Sequence, residues 1–212
     1  MDEPYDAGPY LPGRGGLPAH RRAAAECHGC PLYRPATQTV FGTGTSTARL
    51  MVVGEEPGDQ EDRQGLPFVG PAGRLLRRAM AEAGLPVEGA YLTNAVKHFT
   101  YERRGSGKRR IHKPPSLREL TACAPWLDAE LRLVAPDVVV ALGGTAVKAL
   151  LGRDARVGRV RGEPRRGRDT GHAVVVATLH PSAVLRADDR AEQYAGLVAD
   201  LRVAAEALGR RA

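Results

Sequence analysis

Apolar positions along the chain gather into four short runs: Arg49-Leu50-Met51-Val52-Val53-Gly54, Ala90-Tyr91-Leu92-Thr93-Asn94, Val138 to Leu142, and Ala173 to Thr178. Runs of this length bounded by turn residues predict buried strands. The segments between them carry helical spacing. Leu75, Leu76, Ala79 and Met80 predict a helix over Arg74 to Ala83, opened by Pro71 and stopped by Gly84. Ser116-Leu117-Arg118-Glu119 is a capping-box pattern that opens a helix to about Val134. Gly143-Gly144 opens a short helix to Leu151, and an amphipathic helix fills Arg190 to about Leu208. Near the start, Ala19 to Glu26 suits a short helix that delivers Cys27, whereas Gly152 to Arg168 reads as an arginine-rich turn or hairpin.

Strands separated by helices predict an α/β fold, a three-layer α/β/α sandwich around a central, mostly parallel, four-stranded sheet. Residues 1–18 are rich in Gly and Pro without hydrophobic period and read as a flexible N-terminal segment or an irregular cover, leaving 19–212 as a single domain. Open sheets of this kind bind ligands at the carboxyl ends of their strands. Glu55, Asn94 and His180 each follow such an end, so a carboxylate, an amide and an imidazole are expected to converge.

Charge adds a partner class. The chain has 31 Lys and Arg against 24 Asp and Glu among its 212 residues, an excess that points to an anionic partner such as nucleic acid. The basic residues concentrate around one histidine, in Gly107-Lys108-Arg109-Arg110-Ile111-His112-Lys113-Pro114-Pro115-Ser116. Glycines loosen one side of this segment and two prolines stiffen the other, as suits a loop that meets a phosphate backbone. Like charge disfavours a protonated imidazole, so His112 is expected to be neutral and nucleophilic. Glu61 and Asp62 read as solvated acids, while the arginines from Arg153 to Arg168 either help to hold phosphate or belong to a solvated turn.

Three cysteines, two of them as Cys27-x-x-Cys30 and the third Cys123, favour a metal or cluster in a reducing compartment over a disulfide framework. No apolar run approaches the roughly 18 residues of a membrane span. Met1-Asp2-Glu3-Pro4 lacks the features of a signal peptide, so no membrane association and a cytoplasmic location are expected.

Five motifs in order complete the picture: Gly54-Glu55-Glu56-Pro57-Gly58-Asp59, Gly65-Leu66-Pro67-Phe68-Val69-Gly70-Pro71-Ala72-Gly73, Thr93-Asn94-Ala95-Val96-Lys97-His98, Lys108-Arg109-Arg110-Ile111-His112-Lys113, and His180-Pro181-Ser182. Together they resemble the iron-sulfur uracil-DNA glycosylases, most closely the subgroup UdgX, which captures uracil-DNA covalently. The resemblance implies that His112 is the covalent nucleophile, that Glu55 sits near the sugar, and that His180 hydrogen-bonds the uracil oxygen that gains charge. It implies substrate contacts from Glu56, Gly58, Asp59, Phe68 and Asn94, with Asn94 reading the pairing face and Phe68 stacking on the flipped base.

Lys108, Arg109, Arg110, Lys113 and Ser182 are expected to hold the DNA. The expected partner is uracil-containing, single-stranded DNA, bound by a monomer. The resemblance also implies a four-iron, four-sulfur (4Fe-4S) cluster held by Cys27, Cys30, Cys123 and His98, with zinc as the chemical alternative for such a donor set. One position departs from the pattern: Glu56 stands where the subgroup has Gln, and its added charge either disturbs the contacts to uracil or offers an extra base. Two rival readings stand beside capture: a turnover glycosylase with Glu55 or Glu56 activating water, and a noncatalytic nucleic-acid binding module.

Overall fold

The computed structural model describes residues 5–103 and 110–210. In chain order, helix α1 (Leu17–Ala24) precedes strand β1 (Leu50–Gly54), then come helices α2 (Asp59–Gln64) and α3 (Pro71–Glu82). Strand β2 (Tyr91–Asn94) follows, then the short strands β3 (Tyr101–Arg103) and β4 (Arg110–His112), and the long helix α4 (Leu117–Val134). The second half contains β5 (Val138–Leu142), α5 (Gly143–Leu151), α6 (Val157–Val160), β6 (Pro164–Arg166), β7 (Val174–Thr178), α7 (Pro181–Arg186) and α8 (Arg190–Gly209).

The central sheet has the order β2-β1-β5-β7-β6. Its first four strands are the four apolar runs, and all pair in parallel. The fifth strand, β6, adds antiparallel at the edge within the stretch read as a turn or hairpin, so the sheet has five strands rather than four. Its sequence, Pro-Arg-Arg, is fully polar because an edge strand exposed to water needs no apolar face, and so hydrophobicity does not mark it.

Alternation along the buried strands builds the two other layers. Met51, Val53, Tyr91, Val139, Ala141, Val175 and Ala177 share one core with Trp126, Leu127 and Leu131 of α4 and Ala146 and Val147 of α5. Leu50, Val52, Leu92, Val138, Val140, Leu142 and Val176 face the other way, onto Leu76 and Met80 of α3 and Leu197 and Leu201 of α8. Helix α4 opens with the capping box read from sequence: Ser116 Oγ accepts from the Glu119 N–H, and Glu119 Oε2 accepts from the Ser116 N–H.

Residues 5–18 lie against the domain as a cover: Ala7 and Leu17 are buried in the core, and the Ala7 N–H donates to the Ala122 carbonyl at 2.9 Å. The basic segment is partly a hairpin, with Tyr101 opposite His112, Glu102 opposite Ile111 and Arg103 opposite Arg110. Lys108 and Arg109 lie outside the described residues.

Candidate active site

Register in the sheet sets the geometry of the site. Gly54 pairs with Asn94 at the carboxyl ends of β1 and β2, which places Glu55 and Glu56 beside the Asn94 amide. A Cβ on Gly54 would lie 2.3 Å from Asn94 Oδ1 and 2.8 Å from Phe68 Cζ, so only glycine permits this approach. Phe68 is buried and has a φ of 57°, an unusual conformation for a non-glycine residue. Helix α3 closes against its backbone: a Cβ on Gly73 would lie 1.9 Å from the Phe68 carbonyl oxygen. At the end of β7, His180 sits against Gly143, whose φ of 81° and lack of a side chain admit the ring.

These groups enclose a cavity of about 180 Å³ lined by Glu56, Gly58, Glu61, Phe68, Ala72, Asn94, His112, His180, Ser182 and Arg186. At about 30 Å³ per water in the liquid, that is space on the order of six waters, enough for one planar heterocycle. Its walls supply an aromatic face, an amide with both donor and acceptor, and a histidine whose tautomer is fixed. The Ser182 N–H donates to His180 Nδ1 at 3.2 Å, so this nitrogen carries a lone pair and the proton resides on Nε2. Burial pushes the His180 pKa down to about 4, with His112 and Arg186 adding to the effect. His180 is therefore a neutral hydrogen-bond donor at neutral pH.

His112 stands at the mouth of the cavity, at the end of β4. Its Nε2 lies 2.9 Å from Glu56 Oε1 and 3.6 Å from Glu55 Oε1. These carboxylates, rather than the flanking cations, control its charge: the contact with Glu56 raises the His112 pKa above its ordinary value, and Glu55 adds to this. The shift runs opposite to the direction expected from the flanking cations, because the neighbouring Arg110 side chain turns away while two carboxylates face the ring. Glu56 is fully enclosed, and burial pushes its pKa up to about 7 despite His112. Neither of its oxygens receives an aligned hydrogen bond among the described residues. The 2.9 Å approach to His112 is accordingly a close charge contact, off the hydrogen-bond axis. Glu55 is held from the other side by Thr145 Oγ1, which donates to its Oε2 at 2.5 Å.

Two predicted contact residues serve elsewhere. Arg110 is not available to DNA phosphate: its side chain is 9% exposed and reaches Asp62 Oδ2 at 2.6 Å and Asp59 Oδ1 at 2.5 Å. Its guanidinium also lies over Phe99 and Tyr101, 5.2 and 5.1 Å from the ring centres. Asp59 correspondingly accepts from Arg110 and Arg63 and is not among the groups lining the cavity. Lys113 is exposed and pairs with Glu102 at 3.0 Å, and Ser182 holds His180 from within the cavity.

Sequence reasoning missed three groups. Asp62, read as solvated, is buried and accepts from the Thr37 N–H, Thr37 Oγ1 and Arg110. Glu61 lines the cavity and accepts the Gly70 N–H at 2.7 Å. Arg186 brings a cation to the cavity from α7. Only the spacing of Asp59, Glu61 and Asp62 in the first turn of a short helix distinguishes these acids in the sequence.

On the opposite side of β2, Cys27, Cys30, Cys123 and His98 are all buried. The indole Nε1–H of Trp126 donates to Cys27 Sγ and the Lys97 N–H to Cys123 Sγ, each at 3.3 Å. Without a metal, burial holds the thiols protonated, raising Cys30 to about 11 and Cys123 to about 12. His98 has a defined tautomer. Thr39 Oγ1 gives its single proton to the Ala24 carbonyl, so the 2.9 Å contact with His98 Nε2 requires the ring to donate there, leaving a lone pair on Nδ1. Burial pushes the His98 pKa down to about 4, keeping that lone pair free of a proton.

Tetrahedral zinc holds its thiolates about 3.8 Å apart. Among the described residues, no three of these four ligand atoms lie within 4.8 Å of one another. Three thiols and an imidazole are donors that either an iron-sulfur cluster or a zinc ion takes.

Comparison with known proteins agrees with this architecture. Residues 41–202 match the family model of the uracil DNA glycosylase superfamily. The type-4 uracil-DNA glycosylase of Thermotoga maritima is 38% identical over 162 residues, covering 76% of this chain and 79% of that protein. That of Archaeoglobus fulgidus is 33% identical over 178 residues, covering 82% and 85%. The type-5 uracil-DNA glycosylase of Thermus thermophilus is 36% identical over 128 residues, 53% of each chain. With its parallel sheet and the groups gathered at its carboxyl edge, the chain belongs to the uracil DNA glycosylase superfamily.

Proposed function

We propose that this protein excises uracil from single-stranded DNA and is captured by the product, His112 forming a covalent bond to the sugar. The observation that carries the reading is the position of His112 Nε2, at the mouth of a cavity whose interior offers Asn94, Phe68 and the His180 donor. A flipped uracil stacks on Phe68 and meets the Asn94 amide, which offers donor and acceptor to its pairing face. Cleavage of the C1′–N1 bond sends its electron pair to the base, and the His180 Nε2–H stabilises the oxygen that gains negative charge.

The attacking group must bring a lone pair to C1′. In the free protein His112 Nε2 lies 2.9 Å from Glu56 Oε1, whose acid is pushed up to about 7. Transfer of the Nε2 proton to the Glu56 carboxylate frees Nε2 to bond C1′. The proton ends on uracil N1, so the net reaction exchanges the N–H of His112 for an N–C bond and releases neutral uracil. Water has no easy route to reverse a carbon–nitrogen bond of this kind, and each protein molecule acts once.

Cys27, Cys30, Cys123 and His98 would hold a 4Fe-4S cluster, which supplies cross-linking between the N-terminal cover and α4 rather than chemistry at the base. Support comes from the buried N–H donors on the sulfurs and the Nδ1 lone pair of His98. The protein acts as a monomer in this account.

A buried carboxyl near neutrality also suits the activation of water, so a turnover glycosylase is the second reading. Peptide mapping separates the two. After incubation with a uracil oligonucleotide and nuclease digestion, the peptide containing His112 gains the mass of a deoxyribose-linked fragment, and His112→Ala loses that product. An adduct on another residue would overturn the assignment.

A further inference from the structure

Three ligand atoms that meet at the mouth of the cavity have the spacing of a metal site. Glu55, Glu56 and His112 each bring one ligand atom, all within 4.8 Å of one another. A first-row divalent ion holding oxygen and nitrogen at about 2.1 Å sets neighbouring donors roughly 3.0 to 3.4 Å apart. The separations from His112 Nε2 are 2.9 Å to Glu56 Oε1 and 3.6 Å to Glu55 Oε1.

A second, independent feature is Glu56 itself. Its side chain is 0% exposed, yet neither oxygen receives an aligned hydrogen bond. A buried carboxylate without donors is costly, and metal coordination is one of the few ways in which proteins satisfy such a group. Thr145 fixes Glu55 through the oxygen that does not face His112, leaving Oε1 directed at the ring. The arrangement is two carboxylates and one imidazole beside open space, a donor set suited to manganese-like and zinc-like ions.

We propose that Glu55, Glu56 and His112 form a site for a divalent first-row transition metal ion, and that its occupancy silences capture by taking the Nε2 lone pair. The proposal deepens the capture reading, since the silenced atom is the nucleophile assigned there. The ion displaces the Nε2 proton to solvent, so no oxidant or further reactant enters. Side chains that face the site are Thr100 beside Glu56, Phe99 beside the His112 ring and, across the cavity, His180 and Arg186. The cationic Arg186 opposes a cation, which favours a reversible site over a permanent one.

Manganese is the probe, because thiolates compete for it poorly and the cysteine region stays silent. Loss of the free aqueous Mn²⁺ resonance on titration into the intact protein counts bound ions without any DNA present. The expected result is one ion per chain, with affinity falling ~10-fold or more in Glu56→Gln. Capture of a uracil oligonucleotide by the wild type then slows as the site fills and recovers on adding EDTA. In Glu56→Gln the ratio of rates with and without Mn²⁺, each variant serving as its own reference, stays near one.

Absence of binding overturns the proposal, as does binding undiminished in Glu56→Gln or wild-type capture indifferent to bound Mn²⁺. Failure of capture under every condition would refute the functional reading, while the direct titration would still decide the metal site.

Discussion

His112 and Glu56 form one chemical unit, and their partnership was hidden in the sequence. Neighbours along the chain make His112 the centre of a basic run; neighbours in space make it the partner of two acids. Charge patterns along a loop predict titration only when side chains stay in water, and here Arg110 leaves the loop for Asp59 and Asp62. His180 was more legible, because its position after a strand and before Pro181 fixes both its burial and its tautomer.

The Glu56 carboxyl has a stability consequence with a definite sign. Its pKa rises from 4.5 to about 7 on folding, so between these values the folded state binds more protons than the unfolded state. The wild type therefore loses stability as pH rises from 4.5 to about 7. Glu56→Gln removes that penalty: above pH 7 it is expected to be more stable than the wild type by about 3 kcal/mol, a melting temperature higher by several degrees. The difference vanishes below pH 4.5. Thermal melts across this range check it, and a constant difference at every pH would contradict the assignment.

Among the elements, the β3–β4 hairpin carries the nucleophile and is anchored by Arg110, with Tyr101 Oη donating to the Pro35 carbonyl. Two strands of three residues are not stable alone. Arg110 ties them to α2 through Asp59, the fully buried Asp62 and Thr37, and packs over Phe99 and Tyr101. Arg110→Met leaves the Asp62 charge buried without its partner. The expected cost is on the order of 3 kcal/mol, a fall in melting temperature of roughly 5–10 °C measured by circular dichroism. Capture is expected to weaken with it, because His112 closes the strand that Arg110 opens. A variant as stable as the wild type would show that the anchor is not structural.

The hairpin and α2 were poorly legible for a physical reason: both are short, polar and stabilised by ion pairs across 48 or more positions of sequence. The capping box of α4, by contrast, involves residues three apart and was plain. The same locality explains why the four parallel strands were legible and the polar edge strand β6 was not.

At the scale of the whole molecule, the parallel sheet gathers its chemistry on one carboxyl edge and its cysteines on the other side of β2. A buried ion pair joins the two regions. Lys97 Nζ lies 2.6 Å from Glu130 Oε2 and donates to the Asn94 carbonyl, while the Lys97 N–H donates to Cys123 Sγ. Thr93 and Tyr91 add hydrogen bonds to Glu130, so one polar network ties β2, α4 and the cysteine region together. Neither charge stands out in the sequence, because a Lys and a Glu 33 residues apart carry no signal until the fold buries both. No helix among the described residues is long and apolar enough to cross a membrane.

The central claim is single-use covalent capture, and one gel tests it most directly. Purified protein is mixed with an end-labelled single-stranded oligonucleotide containing one uracil, heated in detergent and resolved under denaturing conditions. The account predicts a shifted band that survives heating, requires uracil rather than thymine, and reaches no more than one DNA per protein chain. Free abasic product in molar excess over protein, without a shifted band, would contradict capture and identify a turnover glycosylase.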